Sequence, residues 1–413
     1  MLIHRPRYEQ MLRKHLGTPG VKVLKGVRRC GKSTLLAMLA SSLSDQGVPA
    51  CNIFNRRMDQ FGAPLNPTAE WLESELLQAM QAAQDGTFYV LLDEIQDVTG
   101  WEKVVRRLHT APDVDVFITG SNAHVLSSDL STLLGGRYAE LDIYPLSFEE
   151  YRAFSADNGR AEESEDRLFA RYLTYGGMPG LFELPTWSRE EISRSLRTVY
   201  ETVILNDVAL HERISDLDLL NKLVRYAFMT SGSLFSTKHI VNALRANGRK
   251  TSSETVDNYL RSLVSALILH ECEQTGLAGR QVLRPQRKYY PVDTGLRNLM
   301  TGFSPRDLGA QLECAVYNEL LRRGYTVTVG SLPGEGEVDF VARRDSDRIY
   351  IQVTSSLEDE KTFERELKPY MSIADSFPKL VLTLGAYRTG TTETGIRIVN
   401  VIDWLMRRDG ITL

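Results

Sequence analysis

The stretch Gly26-Val27-Arg28-Arg29-Cys30-Gly31-Lys32-Ser33-Thr34 decides how this chain is read. Before it, Val21-Lys22-Val23-Leu24 reads as a strand. After it, Lys32 to Leu43 places Leu35, Leu36, Leu39 and Leu43 on one side of a helix. Strand, GxxxxGK[ST] loop and helix in that order form a phosphate cradle. Its glycines let backbone N–H groups turn toward phosphate, and the helix adds the positive end of its dipole. Gly26, Arg28, Arg29, Cys30, Gly31 and Thr34 are therefore expected around a nucleoside triphosphate, ATP or GTP. Lys32 would neutralise its β- and γ-phosphates, and the Ser33 hydroxyl would ligate Mg2+.

Working outward, Phe88-Tyr89-Val90-Leu91-Leu92 is a near-continuous apolar run, as in a strand covered on both faces. It ends in Asp93-Glu94. Asp93 is expected beside the metal and Glu94 as the general base that polarises an attacking water. Phe117-Ile118-Thr119-Gly120-Ser121-Asn122 ends another buried strand in an amide. Asn122 would orient the water or touch the γ-phosphate, although an Asn in a strand-to-helix turn accounts for it equally. Arg137, at the Gly135-Gly136 turn, is either a surface charge or a finger on a neighbouring subunit's γ-phosphate. Strands are also predicted at Cys51–Asn55, Val114–Thr119 and Ala139–Tyr144. Helices follow Pro67-Thr68 and a capping box at Thr99-Gly100-Trp101-Glu102. This alternation predicts an α/β fold with a parallel sheet between layers of helices.

At 413 residues, 42% hydrophobic and 25% charged, the chain is expected to be globular with several domains. No apolar run approaches the roughly 20 residues of a membrane-spanning helix. The opening residues lack the apolar core of a secretory signal. Cys30, Cys51, Cys272 and Cys314 form no CxxC pair, which argues against a disulfide framework or structural zinc. A cytoplasmic protein without membrane partners is expected. A net charge of −4 excludes general coating of nucleic acid but not one basic module.

Four segments are expected: a P-loop core at 1–145, a helical lid and linker at 146–218, a winged helix at 219–291 and a last domain at 292–413. The third holds 11 Lys+Arg against 4 Asp+Glu. Its helical patterns lie at 217–230, 236–247 and 252–267, the last opened by a capping box at Thr251-Ser252-Ser253-Glu254. Asn258, Arg261 and Ser262 turn away from the apolar face of that helix. Arg280, Arg284, Arg287 and Lys288 lie on a hairpin that reads as the wing. Such spacing suits phosphate contacts rather than base reading, so DNA is the expected partner, without sequence specificity. A protein-docking module is the alternative.

The motifs together resemble a bacterial and archaeal AAA-type ATPase family whose core is fused to a domain of unknown function. The likeness rests on residues 26–36, on 91–96 with Trp101-Glu102, on 119–122, on Gly136-Arg137 with Pro145 to Phe148, and on Tyr175 to Pro179. It implies an AAA+ core that binds ATP, Asn122 as sensor 1 and Arg137 at the arginine-finger position. It also implies a homo-oligomer, commonly a ring such as a hexamer. Gly177-Met178-Pro179 is similar to the Gly-x-Pro element of signalling ATPases, whose proline packs near adenine; a helix breaker explains it as well. In the last domain, Glu313, Asp339 and the Gln352-Val353-Thr354 run resemble the order of a PD-(D/E)XK nuclease-like fold. Gln352 replaces a carboxylate there and Thr354 a lysine, so a degenerate, inactive site is expected. These features imply an ATP-hydrolysing, DNA-associated motor or remodeller of translocase or branch-migration type. The alternatives are a signalling or defence switch with slow turnover and, disfavoured by Gln352 and Thr354, an ATP-gated nuclease.

Overall fold

The computed structural model describes residues 4–121, 136–160, 163–210, 212–246, 248–277, 286–332 and 336–408. The apolar runs of the amino-terminal part form strands β1 (Val21–Lys25), β2 (Ile53–Arg57), β3 (Phe88–Asp93), β4 (Val114–Gly120) and β5 (Tyr138–Asp142). They lie in the order β2-β3-β4-β1-β5, with every pairing parallel. Parallel neighbours need crossovers. Three amphipathic helices provide these, α2 (Lys32–Asp45), α3 (Ala69–Gln81) and α4 (Trp101–His109), while α1 (Pro6–His15) precedes β1. Leu72 and Leu76 of α3 and Val104, Val105 and Leu108 of α4 share one core with Val90, Leu92, Val116 and Ile118. The chain leaves β1 for the β2 edge, returns through β3 and β4, and then places β5 on the other side of β1. The carboxyl end of β1 thus lies where strand order reverses, the usual ligand position in such sheets.

Local details differ from the sequence reading. Residues Ala50–Asn52 form a 3-10 turn, so β2 begins at Ile53, and β5 ends at Asp142. Thr99 does not cap α4. Its N–H and C=O pair with Pro67 and Ala69 at 2.9 Å each, and Gly100, with φ 76°, opens the helix instead. The cap of the helix at 253–265 is Ser252, whose hydroxyl accepts the Thr255 N–H at 3.1 Å, rather than Thr251.

The chain divides into two compact units. The first runs to Tyr144 and takes in Ser265–Leu267; the second comprises Pro145–Val264 and Ile268–Leu413. In the second, helices α5 (Phe148–Ser155), α6 (Glu165–Tyr175), α7 (Arg189–Thr202), α8 (Leu217–Met229), α9 (Thr237–Ala246) and α10 (Ser253–Ser265) come first. Ser147 and Glu150 form a reciprocal capping box at the start of α5. Then follow β6 (Leu269–Gly276), β7 (Arg287–Pro291), α11 (Thr294–Thr301), α12 (Leu308–Arg322), β8 (Thr326–Leu332), β9 (Gly336–Arg344) and β10 (Asp347–Thr354). The unit ends with α13 (Glu360–Met371), β11 (Lys379–Thr383), β12 (Gly390–Thr391), β13 (Arg397–Asn400) and α14 (Val401–Leu405).

Its eight strands lie in the order β12-β13-β11-β10-β9-β8-β6-β7, in a mixed sheet. β6 pairs antiparallel with β7 and, on its other edge, parallel with β8 through Gln274, Thr275 and Gly276. The strand pair expected as a free wing is therefore the edge of this sheet, and the boundary expected at 291 falls inside it. Short strands gain stability by adding to an existing sheet, which a two-stranded hairpin lacks alone. Among the described residues no helix is long and apolar enough to cross a membrane.

Candidate functional site

The glycine loop leaves β1 at Lys25 and enters α2 at Lys32. A side chain at Gly26 would put its Cβ 2.2 Å from the Ile143 carbonyl oxygen and 2.7 Å from Cys30 Sγ, so only glycine fits. The loop turns through left-handed backbone at Arg29 (φ 65°) and Gly31 (φ 105°). Gly31 is the N-cap residue of α2 and offers no side chain to its first N–H groups. Lys32 is 3% exposed, and its Nζ donates to the carbonyls of Gly26 at 2.9 Å and Val27 at 3.4 Å. Arg28 and Ser33 are half-buried, whereas Arg29 and Thr34 are exposed. Burial raises the Cys30 thiol above its ordinary range, so Cys30 is a packing residue here and not a nucleophile.

β3 carries Asp93 and Glu94 to the same end of the sheet, and both are buried. Thr119 of β4 ties them together. Its hydroxyl donates to Asp93 Oδ1 at 2.6 Å and accepts the Glu94 N–H at 2.9 Å. Glu94 has left-handed backbone (φ 52°), uncommon for a non-glycine residue and a feature of functional turns. Its Oε2 accepts from the Gln96 side-chain amide. Asp93 Oδ2 is buried with no hydrogen-bond partner among the described residues, although Arg57 Nε stands 3.7 Å away. Arg57 also pairs with Asp59, which holds that carboxyl below its ordinary range.

Thr119, Gln96 and Arg57 escaped the sequence reading of the site. One signal was present: Thr119 is the hydroxyl residue within the apolar run Val116-Phe117-Ile118-Thr119. Nothing in the sequence revealed that Gln96 folds back on Glu94, because that contact depends on the turn after β3.

Of the remaining residues expected to serve the nucleotide, Asn122 lies outside the described residues. Arg137 is exposed and precedes β5, and its carbonyl accepts the Val21 N–H at 3.2 Å. Val21 pairs with Tyr138 and Lys25 with Asp142, so Arg137 sits at the amino ends of the strands. The glycine loop and Asp93 lie at the carboxyl ends. Pro179 belongs to the second unit and opens a 3-10 turn, Pro179–Glu183.

In the second unit, Asn258 and Arg261 are exposed on α10, and Arg287 is exposed on β7 beside Glu271. Ser262, expected outside, is 8% exposed and donates to the Asn258 carbonyl at 3.0 Å. One helical turn suffices to satisfy a hydroxyl in this way, which lets it face inward. Arg280 and Arg284 lie outside the described residues.

Lys288 is the larger correction. It is 1% exposed and forms an ion pair with Glu337 at 2.7 Å. Burial works to lower its pKa, but Glu313, Asp339 and Glu337 outweigh this and raise it above the ordinary range. An alternating strand sends neighbouring side chains to opposite faces, so exposed Arg287 and buried Lys288 cannot both serve an outer surface.

Lys288 therefore belongs to the cluster that the sequence reading assembled from Glu313, Asp339, Gln352 and Thr354. Burial pushes the Asp339 carboxyl up to about 7, and burial with the neighbouring Asp339 raises Glu313 well above its usual range. Gln352 Oε1 accepts the Asp339 N–H at 2.9 Å, and its Nε2 donates to Glu366 at 3.1 Å. Thr354 donates to the Ser356 carbonyl at 3.2 Å. Both substituted positions thus hold internal hydrogen bonds. Among the described residues no three His, Cys, Asp or Glu side chains are grouped to hold a metal ion.

The parallel sheet, glycine loop and carboxylate strand end define the first unit as a P-loop AAA+ ATPase fold. Residues 18–152 match the AAA domain family, and residues 166–307 match a domain of unknown function, DUF8612. An uncharacterized protein of Haemophilus influenzae is 35% identical over 407 residues, covering 98% of this chain and 99% of that protein. The chain belongs to the same family as that protein. A second relative, from Methanocaldococcus jannaschii, is 29% identical over 360 residues, covering 85% of this chain and 78% of its own length. Among solved structures, the Walker-type ATPase PABY2304 of Pyrococcus abyssi has a similar fold, with a TM-score of 0.53 at 17% identity. That likeness covers 72% of this chain and 95% of the Pyrococcus chain.

Proposed function

We propose that the first unit binds and hydrolyses ATP with Mg2+, and that the chain works as a homo-oligomeric, DNA-associated motor or remodeller. The observation that carries hydrolysis is Thr119, which fixes Asp93 and Glu94 relative to each other beside the glycine loop. The donor set fits the ion: Asp93 presents a buried oxygen without a hydrogen-bond donor, and Ser33 follows the loop lysine. Mg2+ held there would neutralise charge on the phosphates and orient the transferred group. Lys32 exchanges the Gly26 and Val27 carbonyls for phosphate oxygens, and Glu94 takes a proton from the attacking water. Lys32→Ala removes a desolvated charge facing a polyanion. Its ATP affinity falls by about 2–5 kcal/mol, read by calorimetry against the wild type. Wild-type affinity in that variant would sink the assignment of the loop.

Arg137 supports an oligomer. It lies beyond the amino end of a five-residue strand whose other end opens on the loop, so about 16 Å of strand separates it from its own nucleotide. A phosphate that it stabilises would therefore belong to a neighbouring subunit. Arg137→Ala keeps ATP binding and loses turnover by about 10³-fold or more. Mixing it with Lys32→Ala restores part of the activity, because mixed interfaces combine an intact loop with an intact arginine. Mixtures that stay inactive would remove the finger.

The DNA reading rests on the excess of Lys+Arg over Asp+Glu in residues 219–291, 11 against 4 with buried Lys288 among the 11, and on exposed Asn258, Arg261 and Arg287. Steady ATP turnover stimulated by DNA is the expected outcome. The Glu94→Gln variant with ATP, tested on single-stranded, duplex and branched DNA, identifies the preferred form. The Gln96 amide on Glu94 favours a second reading, a switch whose base is held idle until a partner releases it. Slow turnover that DNA does not change would select that reading.

The last domain, expected at 292–413, is read as degenerate and nuclease-like. Gln352 and Thr354 are committed to Asp339, Glu366 and Ser356. Purified protein with Mg2+ or Mn2+ leaves DNA intact over hours. Dose-dependent cleavage that disappears in Asp339→Ala or Lys288→Ala would overturn this.

A further inference from the structure

A phosphate loop that aims its N–H groups inward must leave carbonyls on its outer side, and buried carbonyls need donors. Arg5, just before α1, supplies one. The side chain is 4% exposed, and its NH1 donates to the Cys30 carbonyl at 3.0 Å. Through NH2 the same guanidinium donates to the Tyr144 carbonyl at 2.9 Å, and it lies 4.3 Å from the centre of the Tyr8 ring. The Tyr8 hydroxyl accepts the Tyr144 N–H at 3.1 Å. Ile143, next in the segment, donates its N–H to Lys25 at 2.7 Å, and its carbonyl oxygen leaves no room for a Cβ on Gly26. The Cys30 carbonyl on the outer side of the loop and Tyr144, the last residue before Pro145, are therefore joined through one buried cation, while Ile143 meets the loop directly.

We propose that Arg5 is a positioning residue for nucleotide binding: it braces the Cys30 carbonyl from behind and links loop occupancy to the Ile143–Tyr144 segment that leads out of the first unit. The inference rests on the ATPase reading above. Arginine suits the task because its planar fork spans two acceptors, which the point charge of a lysine does not. Bracing acts equally on substrate and product, so its loss weakens ATP and ADP alike and leaves the saturated rate largely intact.

The test measures Kd for Mg-ATP and Mg-ADP, with kcat and KM for ATP, in the full chain and in Lys32→Ala, Arg5→Lys and Tyr8→Phe. A wild type that binds neither nucleotide overturns the ATPase reading and says so independently of Arg5. With the wild type binding and Lys32→Ala impaired, Arg5→Lys raises both Kd values and KM about tenfold, the effect of one lost charged hydrogen bond. Its kcat stays within about twofold. Tyr8→Phe, which keeps the Arg5–Cys30 contact and removes only the acceptor of the Tyr144 N–H, weakens binding less than Arg5→Lys does. An equal or larger loss overturns Arg5 as the brace. Wild-type Kd and KM in Arg5→Lys, or a loss confined to kcat, overturn the proposal. Should Arg5→Lys fail to fold, amide exchange in the wild type decides. ATP then slows exchange at residues 28–34 and 143–144 together, and slowing confined to 28–34 overturns the link.

Discussion

Glu94→Gln binds ATP with wild-type affinity and hydrolyses it about 10²–10⁴-fold more slowly. The amide keeps the shape of the side chain, so the buried position and its packing survive. What disappears is the acceptor that can take a proton from water. The backbone of Glu94 also supports this expectation, because the Thr119 hydroxyl holds its N–H and a side-chain change leaves that bond untouched. A carboxylate that merely filled space would give a variant with normal turnover. Single-turnover measurement with trapped ATP separates the two outcomes, since it reads chemistry without product release. Wild-type hydrolysis in this variant would move the base to another residue.

The second large effect is on stability. Asp115→Ala lowers the unfolding free energy by about 3–5 kcal/mol, a large part of the roughly 5–15 kcal/mol typical of a folded domain. Lys22 of β1 and Asp115 of β4 form an ion pair at 2.6 Å, with side chains 1% and 3% exposed. Asp115 Oδ2 also accepts the Gly17 N–H at 2.8 Å, and Lys22 donates to the Thr18 carbonyl. Removing the carboxylate leaves an ammonium buried with too few acceptors, a cost well above that of losing the pair. Replacing both partners together, as Lys22→Met with Asp115→Leu, recovers much of the loss. Denaturant unfolding of the single and double variants checks both statements, and equal stabilities for wild type and Asp115→Ala would show that the pair contributes nothing.

That pair also shows where sequence reading stops. Lys22 stands in Val21-Lys22-Val23-Leu24 as the polar member of an alternating strand, which ordinarily faces solvent. Its buried partner Asp115 is at hand because β4 lies beside β1, and strand order is not written in the local pattern. Lys288 repeats the lesson. Local charge suggested an outer wing, but β6 joins β8, which makes the hairpin a sheet edge and turns Lys288 toward Glu337. Thr119, Gln96, Arg57 and Arg5 likewise act through partners that are remote in sequence or reached through a specific turn.

The sequence alone determined the phosphate loop, the carboxylate pair and the alternation of strands and helices. Each is a local pattern whose chemistry depends on residue type and short spacing: glycines to open the loop, a lysine for phosphate, acids at a strand end. Only the tertiary structure decided which charges are buried, which residues brace the loop, and that Arg137 lies at the pole opposite its own glycine loop. Burial and long-range pairing follow from strand order, and strand order is a property of the whole packed sheet, set by side chains far apart in the chain.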